Sequence, residues 1–82
     1  MPTLTQAEYS NLKRRLTTLR NKLEKATNAE DKRAVATKIV GECNHADAVF
    51  ERKGYPDQWS AWTRAKDDAR TLIQRVDAGL PV

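Results

Sequence analysis

Residues 9–26 read YSNLKRRLTTLRNKLEKA, and their apolar side chains recur at alternating intervals of three and four residues. The apolar positions are Tyr9, Leu12, Leu16, Leu19, Leu23 and Ala26. This is the a/d spacing of a helix that buries one narrow seam against partner helices. The stretch therefore predicts a long amphipathic helix near the start of the chain.

Two further segments repeat this spacing. The second seam consists of Ala36, Ile39, Cys43, Ala46 and Phe50, and the third of Trp62, Ala65, Ala69, Leu72 and Val76. The sequence therefore predicts an all-α protein with helices at about 6–26, 29–53 and 58–78, which form a single helical domain over residues 1–82.

Capping residues mark where these helices begin. Thr5 and Glu8 have the spacing of a capping box, with Leu4 and Tyr9 at the positions of a hydrophobic staple. Asn28 and Asp57 are placed as the N-caps of the second and third helices.

Glycines mark where the second and third helices end. Gly54, followed by Pro56, is expected to end the second helix in the left-handed αL conformation. Gly79 is expected at the C′ position of the third helix, where Leu80 would close a Schellman motif.

The connections between helices are short, so neighbouring helices are predicted to be antiparallel. Two architectures remain open: a closed antiparallel three-helix bundle, or a helical hairpin plus a third helix, completed by oligomerisation. The second and third seams are rich in alanine, and such a thin core favours a homo-oligomer. Gly41, in the middle of the second helix, is either tolerated there or marks the close approach of another backbone.

Composition limits the function classes. The chain has 82 residues and a single cysteine, which suits a reducing compartment and excludes an intrachain disulfide. No run approaches the roughly 20 apolar residues of a membrane span, and the first residues do not resemble a signal peptide. A cytoplasmic protein without a membrane partner is expected.

The first helix carries the excess positive charge. Residues 1–26 contain six basic and two acidic side chains, whereas residues 27–82 contain nine of each sign. On the heptad, Lys13 and Arg20 take e positions and Arg15 and Lys22 take g positions, on either side of the seam. These cations either pair with Glu42 and Asp47 of the second helix or face an anionic partner. The predicted anion- or partner-binding residues are Lys13, Arg14, Arg15, Arg20 and Lys22.

Three of the five aromatic residues lie between residues 55 and 62. Trp62 belongs to the third seam and is expected in the core. Tyr55 and Trp59 either cover the end of the core or, with Arg64, form a contact patch for a partner.

No motif for catalysis or metal binding is complete. Glu42-x-x-His45 has a spacing found in di-metal bundles, but such a site needs two of these motifs and further inward carboxylates. Cys43 lies on the apolar seam, where burial makes a thiol inert. We therefore expect neither an enzyme nor a protein with a metal or cofactor.

Residues 54–69 also show a resemblance to known proteins. The segment Gly54-Tyr55-Pro56-Asp57-x-Trp59-x-x-Trp62-x-x-Ala65-x-x-Asp68-Ala69 resembles small uncharacterised helical proteins of tailed phages that infect actinobacteria. The resemblance covers about 20 of the 82 residues, or the second helix as well, and carries over no functional residue. It implies a phage-encoded protein that binds and blocks a host or defence component.

Four functions follow from these features. The leading hypothesis is a non-enzymatic binding protein that blocks a host or defence component by stoichiometric occupancy, with an acidic protein surface or an anionic ligand as its partner. The alternatives are an oligomer that sequesters an anionic cyclic nucleotide, a sequence-tolerant nucleic-acid-binding protein and a structural adaptor.

Overall fold

The computed structural model describes residues 3–82, and within this range the chain forms three α-helices and no strand. Helix α1 spans Gln6–Lys25, α2 spans Ala29–Lys53 and α3 spans Ser60–Asp77. The all-α prediction and the number of helices are confirmed. None of the three helices is long and apolar enough to cross a membrane.

The first two helices begin as predicted. The Thr5 hydroxyl accepts a hydrogen bond from the Glu8 backbone N–H at 3.2 Å, and Glu8 Oε1 accepts one from the Thr5 backbone N–H at 3.3 Å. The Asn28 side chain accepts a hydrogen bond from the Asp31 N–H at 2.8 Å. Both caps satisfy backbone donors that would otherwise lack a partner in the first helical turn.

The third helix does not begin as predicted. It starts two residues later than expected, and its N-cap, Trp59, makes no capping hydrogen bond through its side chain. The Trp59 N–H instead donates to the Pro56 carbonyl at 3.1 Å, and the Ala61 N–H donates to the Gln58 carbonyl at 3.0 Å. The prediction of Asp57 as the cap is wrong because a backbone turn already supplies acceptors for these donors.

The two glycine-marked ends differ from each other. The Leu80 N–H donates to the Arg75 carbonyl and the Gly79 N–H to the Val76 carbonyl, which is the predicted Schellman pattern. Gly54 has φ 111° and ψ 148°, an extended conformation of positive φ rather than αL. The αL prediction is therefore wrong, although this conformation also favours glycine.

Helix α2 lies between the other two helices and runs antiparallel to both. It packs along α1 and α3, whereas no Cα atom of α1 lies within 8 Å of a Cα atom of α3. The radius of gyration is 13.8 Å, compared with roughly 12 Å for a typical compact domain of this length. The bundle is thus held by two helix pairs, and only side chains bridge α1 and α3.

Helix α2 is buried along most of its length, from Ala36 to Phe50, whereas burial along α1 and α3 is uneven. Leu12 and Leu16 are buried in α1, while Leu19 and Leu23 nearer its C-terminal end are only partly buried. In α3, likewise, Ala65 and Ala69 are buried and Leu72 is only partly so. The predicted seams therefore lie along the core but are not buried at equal depth. Val49, outside the predicted seam, is also buried.

The five aromatic rings form one continuous series of contacts. Trp62 meets Phe50 edge-on at 5.2 Å between ring centroids and meets Tyr9 at 5.5 Å. Tyr55 lies 6.0 Å from Phe50 and 5.6 Å from Trp59. The Tyr9 hydroxyl also donates a hydrogen bond to Gln58 Oε1 at 3.1 Å. Trp62 is thus core, as predicted, and its contact with Tyr9 joins α3 to α1.

Unequal burial predicts unequal costs of truncation along α1. Leu16→Ala should lower the free energy of unfolding by about 2–5 kcal/mol, the range for buried leucines. Leu23→Ala should cost about 1–2 kcal/mol, because the side chain already contacts solvent. Urea titrations followed by circular dichroism at 222 nm measure both values. Equal losses would contradict the uneven core.

Candidate functional site

The predicted cations of α1 are mostly without acidic partners. Arg15 Nη2 lies 2.6 Å from Glu42 Oε1 on α2, which confirms one of the two predicted pairings. Within residues 3–82, no carboxylate lies within 4.0 Å of Lys13, Arg14, Arg20 or Lys22. The net charge of α1 is therefore largely uncompensated by the helices packed around it.

Two acids of α2 and α3 have cationic partners away from this basic surface. Asp47, predicted to face α1, lies instead 3.8 Å from Lys66 of α3, so that pairing was wrong. Arg33 holds Asp77 by two hydrogen bonds of 2.7 and 3.1 Å. These bonds lower the pKa of the Asp77 carboxyl and raise that of the guanidinium.

A further ion pair joins the start of α1 to the end of α2. Lys53 bonds to Glu8, and this hydrogen bond, helped by Thr5, lowers the pKa of the Glu8 carboxyl. The Leu4 N–H also donates to the Lys53 carbonyl at 3.1 Å. The entry to α1 is therefore fixed against the end of α2 by both backbone and side-chain contacts.

A groove runs between α1 and α2, on the flank that carries Arg14 and Arg15. Its volume is about 480 Å³, and its floor is mainly apolar. The lining residues are Arg14, Arg15, Thr18, Leu19, Lys38, Gly41 and Glu42. Lys22 lies seven residues after Arg15 and therefore projects from the same flank of α1. The groove thus combines an apolar floor with a basic rim, and we call it the α1–α2 groove.

Two of the predicted cations lie on the other side of α1. Lys13 and Arg20 line a small cleft of about 90 Å³ between α1 and α3, together with Thr17, Ala61 and Trp62 among others. The predicted e and g positions therefore face opposite flanks. The structure divides the five cations between two surfaces instead of gathering them into one.

The predicted contact patch is only partly assembled. Tyr55 and Trp59 touch each other and keep 57% and 44% of their surface exposed, although Tyr55 also covers Phe50. Arg64 follows Trp59 by five residues, so their directions differ by about 140° around the helix. The aromatic pair is exposed, but Arg64 does not belong to it.

A wide surface hollow lies beside this aromatic pair. It measures about 640 Å³ and lies between the start of α1 and the α2–α3 turn. Lys13, Lys53, Tyr9 and Tyr55 are among its lining residues. A hollow with two amines and two phenol rings offers contacts to an anion that carries a flat ring.

Sequence reasoning missed two residues of the α1–α2 groove. Lys38 directly precedes the seam residue Ile39. Only the direction in which α2 packs on α1 shows that the Lys38 side chain lies beside α1. Gly41 was identified as a mid-helix glycine but was not connected with Arg14 and Arg15. A Cβ atom built on Gly41 meets no atom within 4 Å, so no backbone of this chain approaches it closely.

The cysteine and histidine of α2 point to different environments. Cys43 is fully buried, whereas His45 is exposed. Burial, aided by the neighbouring Asp47 carboxylate, raises the pKa of the Cys43 thiol to about 11. In residues 3–82, no three His, Cys, Asp or Glu side chains form a group able to hold a metal ion.

Comparisons with protein-family models, with curated proteins and with solved structures give no match to this chain. The site is therefore interpreted from its own residues.

The raised pKa of Cys43 predicts a slowly reacting thiol. At pH 8, a thiol of pKa about 11 carries about a hundredfold less thiolate than one with the ordinary value of 9.0. We expect iodoacetamide to label Cys43 at least that much more slowly in the native protein than in guanidinium chloride, measured by mass spectrometry.

The same shift makes stability depend on alkaline pH. Because the folded pKa lies above the unfolded one, the free energy of unfolding should fall as the pH rises from about 9 to 11. Cys43→Ala should remove this part of the pH dependence. In the labelling experiment, equal rates of reaction with iodoacetamide in native and denatured protein would contradict the burial of the Cys43 thiol.

Proposed function

We propose that this protein is a non-enzymatic binding protein that acts in the cytoplasm by occupying an acidic surface of a partner protein. The observation that carries the proposal is the uncompensated positive charge of α1. Residues 1–26 hold six basic and two acidic side chains, and Arg14, Lys22, Lys13 and Arg20 have no carboxylate within 4.0 Å in the described chain. Unpaired cations attract an oppositely charged surface and accelerate association with it.

The exposed aromatic pair supports a protein as the partner. Tyr55 and Trp59 present two rigid rings to solvent, and such residues frequently dominate the binding energy of protein interfaces. The resemblance of residues 54–69 to small phage proteins favours a host or defence component as the protein that is blocked. Occupancy of this kind requires no cofactor and no chemical step.

A second candidate function is sequestration of an anionic nucleotide. The hollow near Tyr55 supports it, because its volume of about 640 Å³ and its tyrosine rings suit a base and its lysines suit a phosphate. Glu8 already pairs with Lys53 there, which reduces the charge available to a ligand. We therefore rank this candidate second.

The proposal is tested by neutralising α1 cations with a matched control. Arg14→Gln combined with Lys22→Gln removes two charges from α1, and Arg52→Gln combined with Arg70→Gln removes two exposed charges from α2 and α3. We expect the α1 variant to lose most protein captured from host lysate, because its cations face the acidic partner. The control variant should retain it. Quantitative mass spectrometry of the captured proteins measures both.

Three outcomes of this capture experiment would contradict the proposal. Equal loss from both variants would indicate a general effect of net charge. Captured material that disappears after nuclease treatment would indicate nucleic-acid binding, for which affinity falls steeply with salt. Turnover of any captured molecule would indicate an enzyme.

Self-association is part of the same proposal. The accessible surface is 5761 Å², about 800 Å² more than the roughly 5,000 Å² typical of a monomer of 9.3 kDa. A standard interface buries a similar area, about 800 Å² on each partner. The partly buried Leu23 and Leu72 are apolar side chains that a second copy would cover.

Native mass spectrometry of gently purified protein measures both self-association and retained ligands. We expect a dimer without added mass, and we expect Leu23→Glu to shift it toward monomer. A persistent monomer would contradict self-association. Extra mass of several hundred daltons per site would favour nucleotide sequestration over the leading proposal.

A further inference from the structure

The glycine in the middle of α2 has no explanation within the fold. Gly41 is exposed and helical, and a Cβ atom placed there would touch nothing within 4 Å. Glycine is the least favourable residue of a helix interior after proline. The two positive-φ glycines, Gly54 and Gly79, have a conformational reason, but Gly41 has none. What the missing side chain leaves is open space at the α1–α2 groove.

The rim of this groove is positively charged. Arg14, Arg15 and Lys38 line it, against a single acid, Glu42. Arg15 already holds Glu42 at 2.6 Å, so the acid does not compensate Arg14 or Lys38. A partner that enters the groove therefore meets two cations without carboxylate neighbours in the described residues.

The shape of the groove favours a macromolecular partner. Small-molecule pockets enclose most of the ligand surface, whereas this groove is open to solvent. Helices pack with their axes 8–10 Å apart, and the smaller distances require small residues at the contact. Gly41 and Thr18 supply such residues on the two sides of the groove, with Leu19 as an apolar contact.

We propose that the α1–α2 groove is the docking site for an acidic amphipathic helix of the partner, with a large apolar side chain of that helix seated over Gly41 against Leu19. Carboxylates on either side of that side chain would pair with Arg14 and Lys38. This inference rests on the proposed function, since it specifies which acidic surface is bound and where. Helix-in-groove recognition of this kind uses apolar anchors at helical spacing.

Substitution of Gly41 tests the site without disturbing the core. Gly41→Leu places a side chain in the groove; its Cβ meets no atom within 4 Å, and leucine has a better helix propensity than glycine. Ala48→Leu is the matched control, because Ala48 is exposed, lies seven residues later on the same side of α2 and does not line the groove. We expect the melting temperature of Gly41→Leu to be at least equal to that of the wild type, and that of Ala48→Leu to stay close to it, because leucine is only slightly less favourable than alanine in a helix.

The binding probe is a fluorescein-labelled helical peptide of about 18 residues, with leucines along one face and glutamates on both sides of them. We expect Gly41→Leu to weaken its binding about tenfold or more, as loss of a central anchor does, and Ala48→Leu to leave it unchanged. A peptide with glutamine in place of glutamate should bind wild type weakly. Fluorescence anisotropy gives each dissociation constant.

Several results would overturn the docking site. Equal peptide binding by wild type and by folded Gly41→Leu would place the peptide elsewhere. If the wild type does not bind the peptide, an acidic helix is excluded as the occupant. If Gly41→Leu changes the oligomeric mass, the groove is assigned to a second copy of the chain. Binding of decanoate without binding of the peptide would assign it to a small amphiphile.

The failure of this inference is distinguishable from failure of the proposed function. If the peptide fails but the Arg14 and Lys22 variant still loses captured protein, the binding function stands and only the groove is wrong. If that variant captures protein normally and the peptide fails too, both are wrong.

Discussion

The packing of Trp62 between Phe50 and Tyr9 is the contact on which the arrangement of the three helices depends. Phe50 belongs to α2 and Tyr9 to α1, so one indole joins α3 to both other helices. The backbones of α1 and α3 nowhere come within 8 Å, measured between Cα atoms. The ring at position 62 therefore supplies the aromatic contact between α1 and α3. Along α1 and α3, burial declines toward Leu23 and Leu72, where no ring bridges the helices, whereas α2 stays buried from Ala36 to Phe50.

This arrangement also decides where the charges lie. Because α2 lies between its neighbours, its two flanks face different helices. Asp47 pairs with Lys66 of α3, and Glu42 pairs with Arg15 of α1. The α1 flank of α2 supplies Glu42 to Arg15 and Lys53 to Glu8. No carboxylate remains there for Arg14, and Lys38 adds another cation to the same groove. The composition of α1 supplies the positive charge, and the helices packed around it pair only Arg15 among the five predicted cations.

The seams, the first two caps and the Schellman end could be predicted because each depends on residues close together in sequence. Asp57 was assigned as a cap from its residue type, but the Pro56 and Gln58 carbonyls accept the N–H groups near the start of α3. The separation of Lys13 and Arg20 from Arg14 and Arg15 requires knowing on which side of α1 each neighbouring helix lies. Lys38 and Gly41 were missed for the same reason. Heptad positions identify two flanks, but only the tertiary arrangement shows what faces them.

Gly41 illustrates how local and tertiary requirements can be separated. A glycine required by a turn has positive φ, and a glycine required by close packing has atoms within contact distance of the position of Cβ. Gly54 and Gly79 meet the first condition, and Gly41 meets neither. Glycine is less favourable in a helix interior than any residue except proline. At position 41 it therefore lowers the stability of α2, and no contact within the chain offsets this loss. The physical gain available there is room for a partner, since an atom added at Cβ would enter open space in a groove that Leu19, Arg14 and Lys38 also line.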